Sequence, residues 1–94
     1  MENLPVMNNE KNLRFEIDAD NDKAFLEYRW KDDKLALMHT FVPEQHAGKG
    51  IAGLLARTAL EYAKSNGIKI IVYCPYVAAF IKKHPEYEAL VEKK

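Results

Sequence analysis

The chain lacks the residues that build covalent or metal scaffolds. It has 1 cysteine, which excludes a disulfide within the chain, and no paired spacing of zinc ligands. A lone thiol fits a reduced, cytoplasmic setting. Long hydrophobic runs are missing too. The most apolar stretch, Ile70 to Ile81, is broken by Pro75 and falls short of the roughly 20 residues a bilayer requires. The opening Met1-Glu2-Asn3-Leu4-Pro5 does not resemble a signal peptide. Net charge is absent as well, because 14 Lys and Arg balance 14 Asp and Glu. The basic footprint of a nucleic-acid binder is therefore missing. The expectation is a cytoplasmic protein with no membrane or nucleic-acid partner and no bound metal.

The balanced total hides a polar chain. Residues 1–47 carry 6 basic and 10 acidic side chains, a net of −4, and residues 48–94 carry 8 basic and 4 acidic, a net of +4. A basic second half suits a phosphorylated ligand, or is only a solvated face. With 94 residues, 48% of them hydrophobic, there is room for one core. We expect an irregular segment over residues 1–12 and a single domain over 13–94.

Periodicity orders that domain. Leu13, Phe15 and Ile17 alternate with polar residues and are followed by a turn at Asp20-Asn21-Asp22. Leu26, Tyr28 and Trp30 share one parity in a second strand before Asp32-Asp33 turns the chain, and Leu35 to Val42 forms a third. The period then becomes helical. Ile51, Leu54, Leu55, Ala59, Tyr62 and Ala63 share one face, Asn66-Gly67 ends the helix, and the β-branched run Ile68 to Tyr73 reads as a buried strand. Pro75 starts a second helix burying Val77, Phe80 and Ile81; His84-Pro85 stops it, and Glu88 to Lys93 adds a last turn. The fold class is α+β: antiparallel strands followed by a β-α-β-α unit in a mixed sheet.

In such a unit the last two strands run parallel, so their carboxyl ends share an edge. Two helix N-termini then meet there, one after Pro43 to Gly50 and one at Cys74-Pro75-Tyr76, and free N–H groups with positive dipole ends favour an anion. Gly48 and Gly50 allow backbone amides to converge on phosphate oxygens, although a flexible loop would use the same glycines. Gly48-Lys49-Gly50-Ile51-Ala52-Gly53 matches G-x-G-x-x-G, but five residues separate it from the strand and no acid ends the next strand. A Walker loop fails because glycine, not Ser or Thr, follows Lys49.

Thr40-Phe41-Val42-Pro43 followed by Gln45-His46-Ala47-Gly48-Lys49-Gly50-Ile51-Ala52 resembles the acyl-CoA-binding motif of the GNAT superfamily of N-acetyltransferases, Gln/Arg-x-x-Gly-x-Gly/Ala. Cys74-Pro75-Tyr76-Val77, with His84-Pro85-Glu86-Tyr87 beyond it, is similar to the minimal stand-alone members of that superfamily. The resemblance implies a sheet that splays between its parallel strands to admit the pantetheine arm of acetyl-CoA. It implies that Val42 pairs with that arm, that amides from His46 to Ile51 hold the pyrophosphate, and that Gln45, Ala52 and Cys74 complete the cofactor site, with Lys49 adding charge at its rim.

The acyl group would pass to an amine acceptor, a small molecule or a protein lysine. Family members often place a tyrosine midway along the last helix to protonate the departing thiolate, whereas Ala78-Ala79-Phe80-Ile81-Lys82-Lys83 has none. The catalytic candidates are Cys74, at a helix N-terminus that favours the thiolate; Tyr76, the hydroxyl nearest it in sequence; and His39, a proton relay or a hydrogen-bonded sheet residue. Glu27 and Glu44 are weaker bases, and His84 suits a helix cap. The alternative to an enzyme is a non-catalytic CoA-binding or protein-interaction module.

Overall fold

A computed structural model describes residues 5–19, 22–48 and 50–92. Five strands form one sheet in chain order: β1 (Met7–Asn9), β2 (Arg14–Ala19), β3 (Asp22–Lys31), β4 (Lys34–Phe41) and β5 (Ile70–Val72). Neighbours from β1 to β4 are antiparallel, and β4 and β5 are parallel. Helix α1 (Ile51–Ser65) makes the crossover between them, and α2 (Pro75–Lys83) follows β5. The mixed α+β sheet is the expected one.

Alternation builds the core. Phe15 and Ile17 of β2, Ala24, Leu26 and Tyr28 of β3, and Leu35 and Leu37 of β4 are buried, as are Ile51, Leu55, Ala56, Ala59, Leu60 and Ala63 of α1. Leu54 and Tyr62, expected among them, lie at the half-buried margin. Val77, Phe80 and Ile81 of α2 are buried as the helical period requires. On the other face of the sheet, Arg14, Lys23 and Asn9 surround the buried carboxylate of Glu16, with Arg14 Nη2 at 2.7 Å. Those donors offset the cost of desolvating it.

Three boundaries differ from expectation. The segment taken as irregular up to Asn12 contains β1, whose Met7, Asn8 and Asn9 pair with Glu16, Phe15 and Arg14. Met-Asn-Asn has no apolar alternation, so partner backbone rather than pattern makes it a strand. Strand β5 is shorter than Ile68 to Tyr73 because pairing covers only Ile70 to Val72. The last turn is a 3-10 helix over Pro85–Leu90, after which Val91 bridges Ile70 and Glu92 N–H donates to Ile70 O at 2.8 Å. Asp20 and Asn21 of the expected turn lie outside the described residues.

The carboxyl-terminal turn is docked by Tyr87, which is 1% exposed. Its hydroxyl donates to Glu61 Oε2 at 2.6 Å and accepts from Arg57 at 3.3 Å, both on α1. Burial holds that hydroxyl above the ordinary phenol range, and the Glu61 carboxylate raises it further. Burial also raises Tyr28. Both phenols therefore stabilise the fold fully below the unfolded value of 10.0, and that contribution is lost as pH rises through the folded values. Thermal melts should show stability declining above pH 10.0, with less decline in Tyr87→Phe. At neutral pH, Tyr87→Phe removes a charge-assisted bond worth about 1–2 kcal/mol, so Tm should fall by roughly 5–15 °C.

Candidate functional site

The site begins where the β4–β5 ladder stops. Tyr73 N–H and Cys74 N–H both donate to Leu37 O, at 2.9 and 3.1 Å. Beyond Leu37, β4 runs on to Phe41 while β5 ends at Val72, so the two strands part. A bulge lies at the same point: Leu37 pairs with Tyr28 and His39 with Glu27, leaving Met38 as the extra residue of β4.

The bulge changes which side chains face α1. Leu35 and Leu37 point into the core, but His39 and Phe41 are exposed, and Thr40 and Val42 are half-buried. Leu35, Leu37, His39 and Phe41 alternate along the sequence, but the side they face changes at Met38. His39 stands on the face away from α1, paired with Glu27 and 6.4 Å from the Phe25 ring. Instead, Thr40 reaches across the parting strands, its Oγ1 3.3 Å from Cys74 Sγ. Cys74 is 3% exposed and opens α2. Thr40 was not among the sequence candidates, because its inward direction depends on the bulge.

From Val42 the chain enters a 3-10 turn, Glu44–His46, and then the glycine loop. Gly48 and Gly50 have φ of 83° and 81°, in the left-handed region. A Cβ at either position would meet nothing within 4 Å, so it is the dihedral, not space, that requires glycine. Gly50 caps α1 without a side-chain bond. The N–H groups of the first turn are thus left for a ligand. Lys49 lies outside the described residues.

A cavity of 280 Å³ opens here, lined by Val42, the loop from His46 to Gly48, residues 50–53, and Tyr76. Tyr76 Oη approaches α1, 3.4 Å from where a Cβ on Gly53 would lie. A Cβ there would make ordinary van der Waals contact, so neither space nor dihedral demands the third glycine of the literal G-x-G-x-x-G. The hydroxyl is drawn toward the first turn of α1. Gln45 is exposed and His46 is buried, and Asp22 of β3 ties both down: Gln45 Nε2 donates to Asp22 Oδ2, and His46 Nε2 lies 3.3 Å from the same oxygen. Sequence reasoning missed Asp22, which reads as a turn residue. His84 caps α2, its ring 4.3 Å from that of Phe80 and tilted by 31°, away from this cavity's lining.

Among the described residues no cluster of three His, Cys, Asp or Glu could hold a metal ion, and no helix is long and apolar enough to cross a membrane. The residues present do suit an anionic cofactor with an extended arm. They offer a bare helix N-terminus, two left-handed glycines, and a buried His46 Nδ1 with no hydrogen-bond partner.

Comparison with known proteins points the same way. Residues 14–90 match the family model described as GCN5-related N-acetyl-transferase. "Protein NATD1" of Danio rerio is 35% identical over 89 residues, covering 89% of this chain and 81% of the relative. The Bos taurus and Homo sapiens proteins of that name are 35% and 33% identical over 66 residues, which is 69% of this chain and 58% of theirs. The NMR structure of a GCN5-like protein from Staphylococcus aureus superimposes with a TM-score of 0.74 at 27% identity, covering 100% of this chain and 93% of that one.

The Thr40–Cys74 contact generates a test. Reaction of the Cys74 thiol with a disulfide reagent should be far slower in the folded protein than in the urea-unfolded chain. Thr40→Ala should speed it several-fold without a matching loss of Tm. Equal rates in folded wild type and unfolded chain would contradict the buried geometry.

Proposed function

The chain belongs to the GCN5-related N-acetyltransferase family, and from that premise we propose that it binds acetyl-CoA in the gap between β4 and β5 and transfers the acetyl group to an amine. The observation that carries this reading is the ladder's end at Leu37, directly beside a bare helix N-terminus. Strand β4 beyond Leu37 offers the pantetheine amides an unpaired backbone edge at Val42. The amides from His46 to Ile51, with Gln45, Ala52 and the charge of Lys49, take the pyrophosphate. The cofactor supplies the activated acetyl thioester, and this chain orients it and moves protons around it.

Cys74 and His39 have different positions relative to that gap. Cys74 lies on the α1 side, beside the thioester, and its thiol either accepts the acetyl group or protonates the departing CoA sulfur. If it accepts, the Cys74 thiolate forms the new thioester bond, the bond from acetyl to CoA sulfur breaks, and the thiol proton passes to CoA. His39 faces the open side, from which an acceptor would enter, with Glu27 across the strand pair. It takes the proton that the attacking amine must lose. Tyr76 walls the cofactor side and is the remaining hydroxyl for protonating the thiolate. A cytoplasmic setting keeps the Cys74 thiol free for these roles.

A second reading is a CoA-binding module without turnover. It is favoured by the exposed, uncovered setting of His39 and Phe41 and by the lack of a tyrosine midway along α2, whose one tyrosine, Tyr76, stands in the first turn. Thiol-release assays with small amines and lysine peptides separate the two, since a module binds and does not turn over.

Acetyl-CoA at 100-fold its Kd should stabilise the protein by about 2.7 kcal/mol and raise Tm accordingly. Gly50→Glu should abolish the shift by straining the left-handed position and repelling phosphate. No wild-type shift at millimolar ligand would sink the proposal. Intact mass after incubation should show an acetyl adduct that Cys74→Ala lacks if the thiol is the acceptor. Turnover lost in Cys74→Ala without an adduct in the wild type assigns the proton-donor role.

A further inference from the structure

His46 beside the glycine loop is buried, at 4% exposure, and its ring has two unlike ends. Nε2 lies 3.3 Å from the Asp22 carboxylate, which also takes the Gln45 amide. Nδ1 is buried with no hydrogen-bond partner among the described residues. A carboxylate at Nε2 selects the tautomer protonated there, which leaves Nδ1 a bare acceptor with no donor. Such an orphan is costly to bury. A proton on Nδ1 turns it into a donor, and an anion beside the ring would give that donor an acceptor.

The titratable groups facing the ring are few. Asp22 contributes its carboxylate from β3, and Tyr76 of α2 lines the same cavity. The first turn of α1 adds only Ile51, Ala52 and Gly53. Among these described residues there is no cation; Lys49 of the same loop lies outside the described residues.

We propose that anion binding at the α1 N-terminus takes up a proton at His46 Nδ1, with Asp22 acting as the positioning residue that holds the ring through Nε2. This rests on the phosphate-binding reading above. Phosphates bound in the cavity that His46 lines would add negative charge to that of the Asp22 carboxylate, and anionic neighbours favour a proton on an imidazole. Affinity then falls as pH rises. The loss is at most about tenfold per pH unit for one linked proton.

Calorimetric titration with acetyl-CoA lacking its 3′-phosphate removes the ligand's own titrating monoester and is run near neutral pH in two buffers of different ionisation enthalpy. The observed heat of the wild type should depend on the buffer in the sense of proton uptake. His46→Gln should remove most of that dependence, and His84→Gln should leave it. Asp22→Asn keeps an acceptor for Gln45 but removes the charge, so it should diminish uptake and weaken binding several-fold while leaving Tm close to wild type. If His46→Gln does not fold, Asp22→Asn carries the test. Binding with no buffer dependence in the wild type, or with the same dependence in both variants, overturns the proposal. Absence of any heat or Tm shift in the wild type would instead overturn acetyl-CoA binding itself.

Discussion

One carbonyl, that of Leu37, sets the geometry of the whole functional edge. It is the last acceptor that β4 offers to β5, and it takes two consecutive amides, Tyr73 and Cys74. Past it, hydrogen bonding no longer holds the parallel strands together, and the Met38 bulge adds twist where the pairing ends. The strands separate, and the segments that follow them, the glycine loop and α2, are carried to opposite sides of one opening. Had the ladder continued to Phe41, its own backbone bonds would have filled the place assigned here to the pantetheine arm.

Around this opening the chain uses rigid elements for position and leaves only the contact surface unsatisfied. Helix α1 is anchored by its buried stripe, and Tyr87 clamps the carboxyl-terminal turn to its outer side through Glu61 and Arg57. Asp22 holds the glycine loop from the far end of the β2–β3 pair. Three sets of groups without protein partners lie along this edge: the first-turn amides of α1, the edge of β4 beyond Leu37, and Nδ1 of His46. Among the described residues no other buried side-chain nitrogen or oxygen lacks a partner. Such an arrangement is pre-organised for a ligand, because little chain entropy remains to be lost when one binds.

Much of this was legible in the sequence, for reasons that also explain the gaps. Both helices announce themselves by period and punctuation: Gly50 and Pro75 at their starts, Asn66-Gly67 and His84-Pro85 at their ends. The β-α-β order implied that Gly48-Lys49-Gly50 and Cys74 would share an edge, and the family motif agreed. The bulge was hidden because Leu35, Leu37, His39 and Phe41 alternate without interruption; an extra residue is visible only against a partner strand. The outward face of His39 and the inward one of Thr40 follow from that bulge. Strand β1 has no apolar pattern to read. Asp22 and His46 look like ordinary turn and loop residues, since a contact between residues 24 apart leaves no local trace.

The central claim is that the opening beyond Leu37 is a cofactor cleft. The most direct measurement is a titration of isotopically labelled protein with acetyl-CoA, followed through its amide resonances. The account predicts saturable shifts concentrated at Val42, at Ala47 to Ala52 and at Cys74, with the β1–β2 edge unmoved. Saturable shifts centred on β1 or on the outer face of the sheet, with the glycine loop unchanged, would contradict it.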